Sequence, residues 1–167
     1  MTDISIRPLE RYEWQILRDF RLAALKATPG VFGSAYGKEI EHSPETWQDK
    51  IGGPGHQVFG LFADDHLIGI TGVITWREDP SGESAFLVMS FIVPQYRGQG
   101  LSRLLYEARI SWIRAHPQFK RIIVGHRASN EPSRRANQRH GFQFVKQLSH
   151  TWPDGSTEDE LFYELLI

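Results

Sequence analysis

Ile4 and Ile6 alternate with Ser5 and Arg7 until Pro8 interrupts, a period of two that marks a strand with one buried face. From Glu10 to Thr28 the period lengthens. Ile16, Phe20, Ala23 and Ala27 share one face of a helix, which Pro29-Gly30 ends. Phe32-Gly33-Ser34-Ala35-Tyr36-Gly37 has no period and reads as a mobile loop bearing aromatics. Ser43-Pro44-Glu45 opens a second, short helix, with serine at the N-cap and proline in the first turn. Three apolar runs follow: Val58–Ala63, Leu67–Trp76 and Ser84–Val93. The turns Asp64-Asp65-His66 and Asp79-Pro80-Ser81-Gly82 join them. Strands joined by turns this short pair antiparallel.

The pattern then changes. Leu101, Leu104, Leu105, Ala108 and Trp112 mark a helix buried on one face, and Arg121-Ile122-Ile123-Val124 a short buried strand. Strand, helix, strand is a crossover unit, so this part of the sheet is expected to be parallel. Asn130 or Ser129 caps a further helix that has Pro132 in its first turn and ends at Gly141. Phe142–Leu148 and Glu160–Leu166 close the chain around Pro153-Asp154-Gly155. Residues 1–167 therefore read as a single α+β domain with a mixed, mainly antiparallel sheet flanked by helices, without repeats or low-complexity tracts.

Composition narrows the function classes. With 40% hydrophobic and 23% charged residues, the 167-residue chain suits one globular domain with a real core. The formal net charge of -1 provides no global field for nucleic acid or anionic membrane. The absence of cysteine removes disulfides, thiolate nucleophiles and cysteine metal sites and fits a reducing cytoplasm. Met1–Pro8 lacks the apolar run of a signal peptide, and no stretch is apolar for long enough to span a bilayer. The seven histidines lack metal-ligand spacing with carboxylates, so no metal is expected.

The chemistry concentrates in Phe91-Ile92-Val93-Pro94-Gln95-Tyr96-Arg97-Gly98-Gln99-Gly100-Leu101-Ser102, where a strand runs through a glycine turn into a helix. The first N–H groups of such a helix are unpaired. Without a Cβ at Gly98 and Gly100 an anion can approach them, and the helix dipole favours a pyrophosphate. Arg97 adds a positive charge. No Gly-Lys-Ser/Thr follows, so this is not a nucleotide P-loop. The third glycine of a dinucleotide fingerprint is missing and antiparallel strands precede the loop.

The segment resembles the signature of the GNAT superfamily of acetyl-CoA-dependent N-acetyltransferases, Arg/Gln-x-x-Gly-x-Gly/Ala, which Gln95-x-x-Gly98-x-Gly100 matches fully. Asn130 opening a helix that ends in His140-Gly141-Phe142 is a second likeness, and the element order agrees over nearly the whole chain. The resemblance implies that the fourth and fifth strands, Ser84–Val93 and Arg121–His126, splay apart to admit a thioester. It implies acetyl-CoA as co-substrate, with backbone groups of Phe91 and Val93 on the pantetheine. The amides of Arg97, Gly98, Gln99, Gly100, Leu101 and Ser102 would hold the pyrophosphate, and Asn130 the pantetheine arm. The acceptor would be a primary amine, on a small molecule or peptide, with homodimerisation left open.

The chain departs from the family where protons move. The glutamate many members carry on the fourth or fifth strand is absent; a common position is Gly125 here, and Glu83 stands only at a strand's beginning. The usual tyrosine acid, four residues before Gly141-Phe142, is Asn137. His126, at a strand end beside the splay, is the remaining proton acceptor. Phe32, Ser34, Tyr36 and Trp76 are placed as walls of the acceptor site, where aromatics equally suit a core. Arg134, Arg135 and Arg139 stand near a 3′-phosphate or form a solvated face. These departures keep open a second function, an acyl-CoA-binding sensor or regulatory module with little turnover.

Overall fold

Short turns dictate the first half of the architecture. In a computed structural model describing residues Met1–Ile167, β1 (Ile4–Pro8), β2 (Gln57–Ala63), β3 (His66–Thr75) and β4 (Ser84–Ile92) pair antiparallel in that order. β5 (Arg121–Arg127) returns through helix α4, defined below, and joins β4 in parallel. β7 (Thr157–Leu166) inserts between β5 and β6 (Gln143–Thr151), giving one seven-stranded sheet ordered β1-β2-β3-β4-β5-β7-β6. The architecture is the mixed, mainly antiparallel α+β arrangement read from the sequence. No helix is long and apolar enough to cross a membrane.

Alternation along the strands divides the core between the two faces of the sheet. Val58 and Phe62 of β2 pack with Leu17 of α1 (Trp14–Ala27) and with Trp47 and Ile51 of α3 (Pro44–Gly52). Ser43 caps α3 by accepting from the Thr46 N–H at 3.2 Å. On the opposite face, Ala85 and Leu87 of β4 and Ile122 and Val124 of β5 pack with Tyr106 and Ile113 of α4 (Ser102–Arg114). α5 (Glu131–Arg139) lies against β5, and α2 (Tyr36–Glu39) is a single turn beside α1. Trp47 is completely buried. Trp47→Ala is expected to cost about 3–5 kcal/mol, read as a lower urea midpoint.

The buried stripe of α1 is offset by one residue from the expected one. Leu17, Arg21, Ala24 and Leu25 face inward, whereas Ile16, Ala23 and Ala27 are exposed. The reason is Arg21, which reads as a solvent-facing residue but is buried against Glu39 of α2.

Two irregularities of β4 shape the site. Pairing with β5 covers only Ser84–Phe86 against Arg121–Ile123, so the strands part beyond it into a fork. Within the β3–β4 ladder, Ile70 faces Phe91 but Gly72 faces Val88, which leaves one extra residue on β4. Met89 sits in this bulge with φ 64°, a left-handed conformation rare for a non-glycine residue.

Candidate active site

The chain leaves β4 through one 3-10 turn, Pro94–Tyr96. Gly98 and Gly100 both take φ 75°, with nothing within 4 Å of where a Cβ would stand. Glycine is required here for backbone conformation, and the space above it remains open. α4 begins at Ser102 without a side-chain cap, and no carbonyl or side chain accepts from the amides of Gly98, Gln99, Gly100 or Leu101. These donors are left unpaired at the strand–helix junction, at the positive end of the helix dipole. Arg97 donates through Nε to the Ile92 carbonyl at 2.8 Å, and its guanidinium lies 5.0 Å from the Phe91 ring centroid.

A groove of about 420 Å³ starts at Arg97 and Ser102. It follows Ser90–Ile92 along the fork between α4 and α5, where Tyr106, Arg109 and Asn130 line it. Asn130 accepts from the Ser133 N–H at 3.2 Å, which caps α5 and leaves its amide NH2 for the groove. The backbone expectation shifts by one residue. Val93 N–H bonds the Ile68 carbonyl of β3 at 2.9 Å, and strand alternation turns Phe91 the same way. The outward carbonyl is that of Ile92, which Arg97 already reaches.

The expected proton-handling residues scatter. Glu83 is exposed at the closed end of the β4–β5 pair, away from the fork. His126 is buried on the α5 face of β5, stacked 5.3 Å from Tyr163, with Nδ1 2.7 Å from the Arg127 carbonyl and Nε2 unpartnered. Burial lowers its pKa, and it does not line the groove. Asn137 is 1% exposed and lies behind the groove wall, so it is not a surface residue.

Other side chains occupy the places these left. Asn137 Oδ1 accepts from the Tyr106 hydroxyl at 2.6 Å, so a phenol from α4 lines the groove in front of the α5 amide. Burial raises the Tyr106 pKa and keeps the phenol protonated at neutral pH. Arg109 is buried beside it, 4.8 Å from the ring centroid, bonded to the Leu105 carbonyl at 3.0 Å. Burial lowers its pKa to about 10, so it stays cationic, and no carboxylate pairs with it. At Gly125, two residues beyond the last β5 residue that pairs with β4, a carboxylate arrives from β7. Glu160 Oε1 stands 2.7 Å from where a Gly125 Cβ would be. Burial raises the Glu160 pKa, and Glu78 adds to the rise.

A family model for the acetyltransferase (GNAT) family matches residues 15–142. The chain belongs to this family. No curated protein sequence matches it significantly. Among solved structures it is similar to the acetyltransferase of GNAT family from Streptococcus pneumoniae, at 20% identity over 99% of this chain and 100% of the other, with TM-score 0.84. A putative acetyltransferase from Salmonella typhimurium, solved with its cofactor acetyl-CoA, matches at 17% identity, 98% and 94% coverage and TM-score 0.81. Ribosomal-protein-alanine N-acetyltransferase from Brucella melitensis gives 19%, 98% and 99% coverage and 0.81. At such identities these likenesses show the fold.

The expected walls of the acetyltransferase divide. Phe32 lines the groove, tilted against Phe91 at 6.1 Å, and Ser34 lines a neighbouring pocket. Trp76 stacks on Phe86 at 5.8 Å on the face that carries Glu160 and Phe162. Tyr36 faces a shallow depression with Leu25 and Pro153 and lines neither cavity. Arg134 reaches Glu131 at 3.3 Å, while Arg135 and Arg139 are exposed. No three histidine, aspartate or glutamate side chains converge as a metal site. Glu160, Tyr106 and Arg109 were missed because each reaches the site from an element other than the one where the family pattern directs attention.

Proposed function

We propose that this acetyltransferase moves the acetyl group of acetyl-CoA onto a primary amine by direct transfer in a ternary complex. The observation that carries the reading is the row of unpaired amides at Gly98–Leu101 at one end of a groove that follows an open β4–β5 fork. A pyrophosphate suits those donors, and the outward Ile92 backbone and the Asn130 amide suit the amides of a pantetheine arm. The acetyl-CoA in the Salmonella structure, a protein of the same fold, supports the assignment.

Acetyl-CoA supplies a thioester, an activated acyl group on a tolerable leaving group. The protein's part is positioning and proton handling. A primary alkyl amine is mostly protonated at neutral pH and must lose a proton to react. Glu160, on the sheet face opposite α4 and α5 and beside the fork, takes that proton at its carboxylate. Tyr106, which gives its one O–H to Asn137 Oδ1 in the unliganded site, turns that proton to the leaving sulfur on the α4 side, and the Arg109 cation stabilises developing negative charge there.

The test is thiol release from acetyl-CoA in the presence of a broad panel of primary amines, with acetylated product identified by mass. Turnover with at least one amine supports transfer. Stoichiometric acetyl-CoA binding without turnover on any amine would leave a binding module instead. Tyr106→Phe should lower kcat by about 10- to 100-fold, the worth of one hydrogen bond to a charged group, with little change in KM for acetyl-CoA. An unchanged kcat would assign Tyr106 to packing alone.

A further inference from the structure

A second cavity, of about 290 Å³, lies on the sheet face that carries α1–α3. Its floor is apolar, with Val58, Ile74, Val88 and the bulged Met89, and its rim is cationic. Arg21 is 5% exposed and binds Glu39 through Nε at 3.1 Å and Nη2 at 2.9 Å. The third guanidinium nitrogen, Nη1, is buried with no partner, as is His42 Nδ1. Both residues line the cavity. A buried donor without an acceptor costs roughly 1–3 kcal/mol, so such a group in a cavity wall points to a ligand that completes it.

Charge balance identifies the ligand's sign. Arg21 and Glu39 cancel: burial works against the Glu39 charge, but the hydrogen bonds and charge of Arg21 outweigh it and lower the Glu39 pKa. Lys38, Lys50 and Arg77 also line the cavity, and no second carboxylate does. The charged groups acting on Lys50 are Glu39, Arg21, Arg77 and Lys38, one anion among three cations. The cavity thus presents an uncompensated positive field over an apolar floor.

Register places it relative to the chemistry. Phe86 pairs with Ile123 in parallel, so Val88 of the cavity and Gly125 beneath Glu160 project from the same sheet face, on opposite banks of the fork. The cavity and Glu160 therefore lie on the same side of the sheet.

We infer that the cavity seats a carboxylate of the acceptor, so that the substrate class is a small primary amine bearing a carboxylate, such as an α-amino acid with an aliphatic side chain. This rests on the transfer reading above. A carboxylate matches the unpartnered Arg21 Nη1 and the Lys50 ammonium. The volume admits an amino acid.

The experiment compares kcat/KM for aliphatic L-amino acids, the same amino acids as carboxamides, and phosphoethanolamine, in wild type, Lys50→Met and Arg77→Met. Wild type should favour acid over amide by about 10- to 100-fold, one charge-assisted hydrogen bond, and either variant should reduce that ratio about tenfold. The thermal shift given by acetyl-CoA should persist in both variants, showing a folded protein with an intact groove. Equal rates for acid and amide, or an unchanged ratio in both variants, overturn the inference. A preference for phosphoethanolamine over every carboxylate overturns it in favour of a phosphate. If no amine is acetylated although acetyl-CoA binds, the transfer reading fails instead. The cavity is then judged by direct ligand protection: an amino acid must raise Tm in wild type and not in Lys50→Met, and an equal shift from the carboxamide refutes the site.

Discussion

Replacing Glu160 with glutamine should lower kcat by about 100- to 10,000-fold while acetyl-CoA binding is retained, because general-base catalysis is lost and nothing in the groove changes. Glu160 is the carboxylate that occupies the space above Gly125, beside the fork, and it is partly buried. Burial, opposed in part by the nearby His150 and aided by Glu78, raises its pKa above the ordinary value of 4.5. The base form therefore appears as pH rises through that elevated value. The acid limb of the kcat/KM profile should lie above the ordinary glutamate range and vanish in the variant. Stability should respond in the opposite sense. A raised folded-state pKa means that the native protein holds this proton more tightly than the unfolded chain. The group's contribution is complete below the unfolded value and is lost as pH rises through the folded one. Glu160→Gln should remove that loss and flatten the stability profile over the same window. If the variant keeps wild-type kcat and the same acid limb, the proton goes elsewhere, directly to water or to another group.

Gly100→Val should weaken acetyl-CoA binding by about 100-fold or more, the worth of two charge-assisted hydrogen bonds from backbone N–H groups. At φ 75° a β-branched residue is strained, and relief of that strain rotates the neighbouring peptide groups out of the row. No atom lies within 4 Å of the Cβ position, so there is no clash to propagate into the core, and the unliganded melting temperature should change little. Gly98→Val should behave likewise, since Gly98 shares the same φ and the same open surroundings. Calorimetric titration of both variants separates the effect from misfolding. Wild-type affinity in either would show that the loop amides do not hold the cofactor.

The parts of this molecule that depend on local periodicity and turn chemistry were readable from the chain. The strand meander, the parallel return of β5, the Ser43 and Asn130 caps and the glycine junction at residues 98–100 all follow from neighbours in sequence. What was not readable depends on contacts across sequence. The α1 stripe shifted because Arg21 is neutralised by Glu39, eighteen residues away. On β4, the bond from Val93 N–H to the Ile68 carbonyl turns the backbone groups of Val93 and Phe91 toward β3 and those of Ile92 outward, which the sequence of β4 alone does not show. Asn137 stood where a tyrosine was expected, yet the phenol is supplied by Tyr106, thirty-one residues earlier. Gly125 stands where a carboxylate was expected, and Glu160 reaches over it from β7, which only the pairing of β5 with β7 reveals. His126 looked suitable by its place at a strand end, but strand alternation turns it to the face of α5.

The central claim is that the loop Arg97–Ser102 and the β4–β5 fork form an acetyl-CoA site. Isothermal titration of acetyl-CoA into the wild-type protein, with Gly100→Val in parallel, tests it most directly. Saturable one-to-one binding to wild type, lost or strongly weakened in Gly100→Val, is the expected result; no binding heat with a well-folded wild-type protein, or equal affinity in the two, would contradict it.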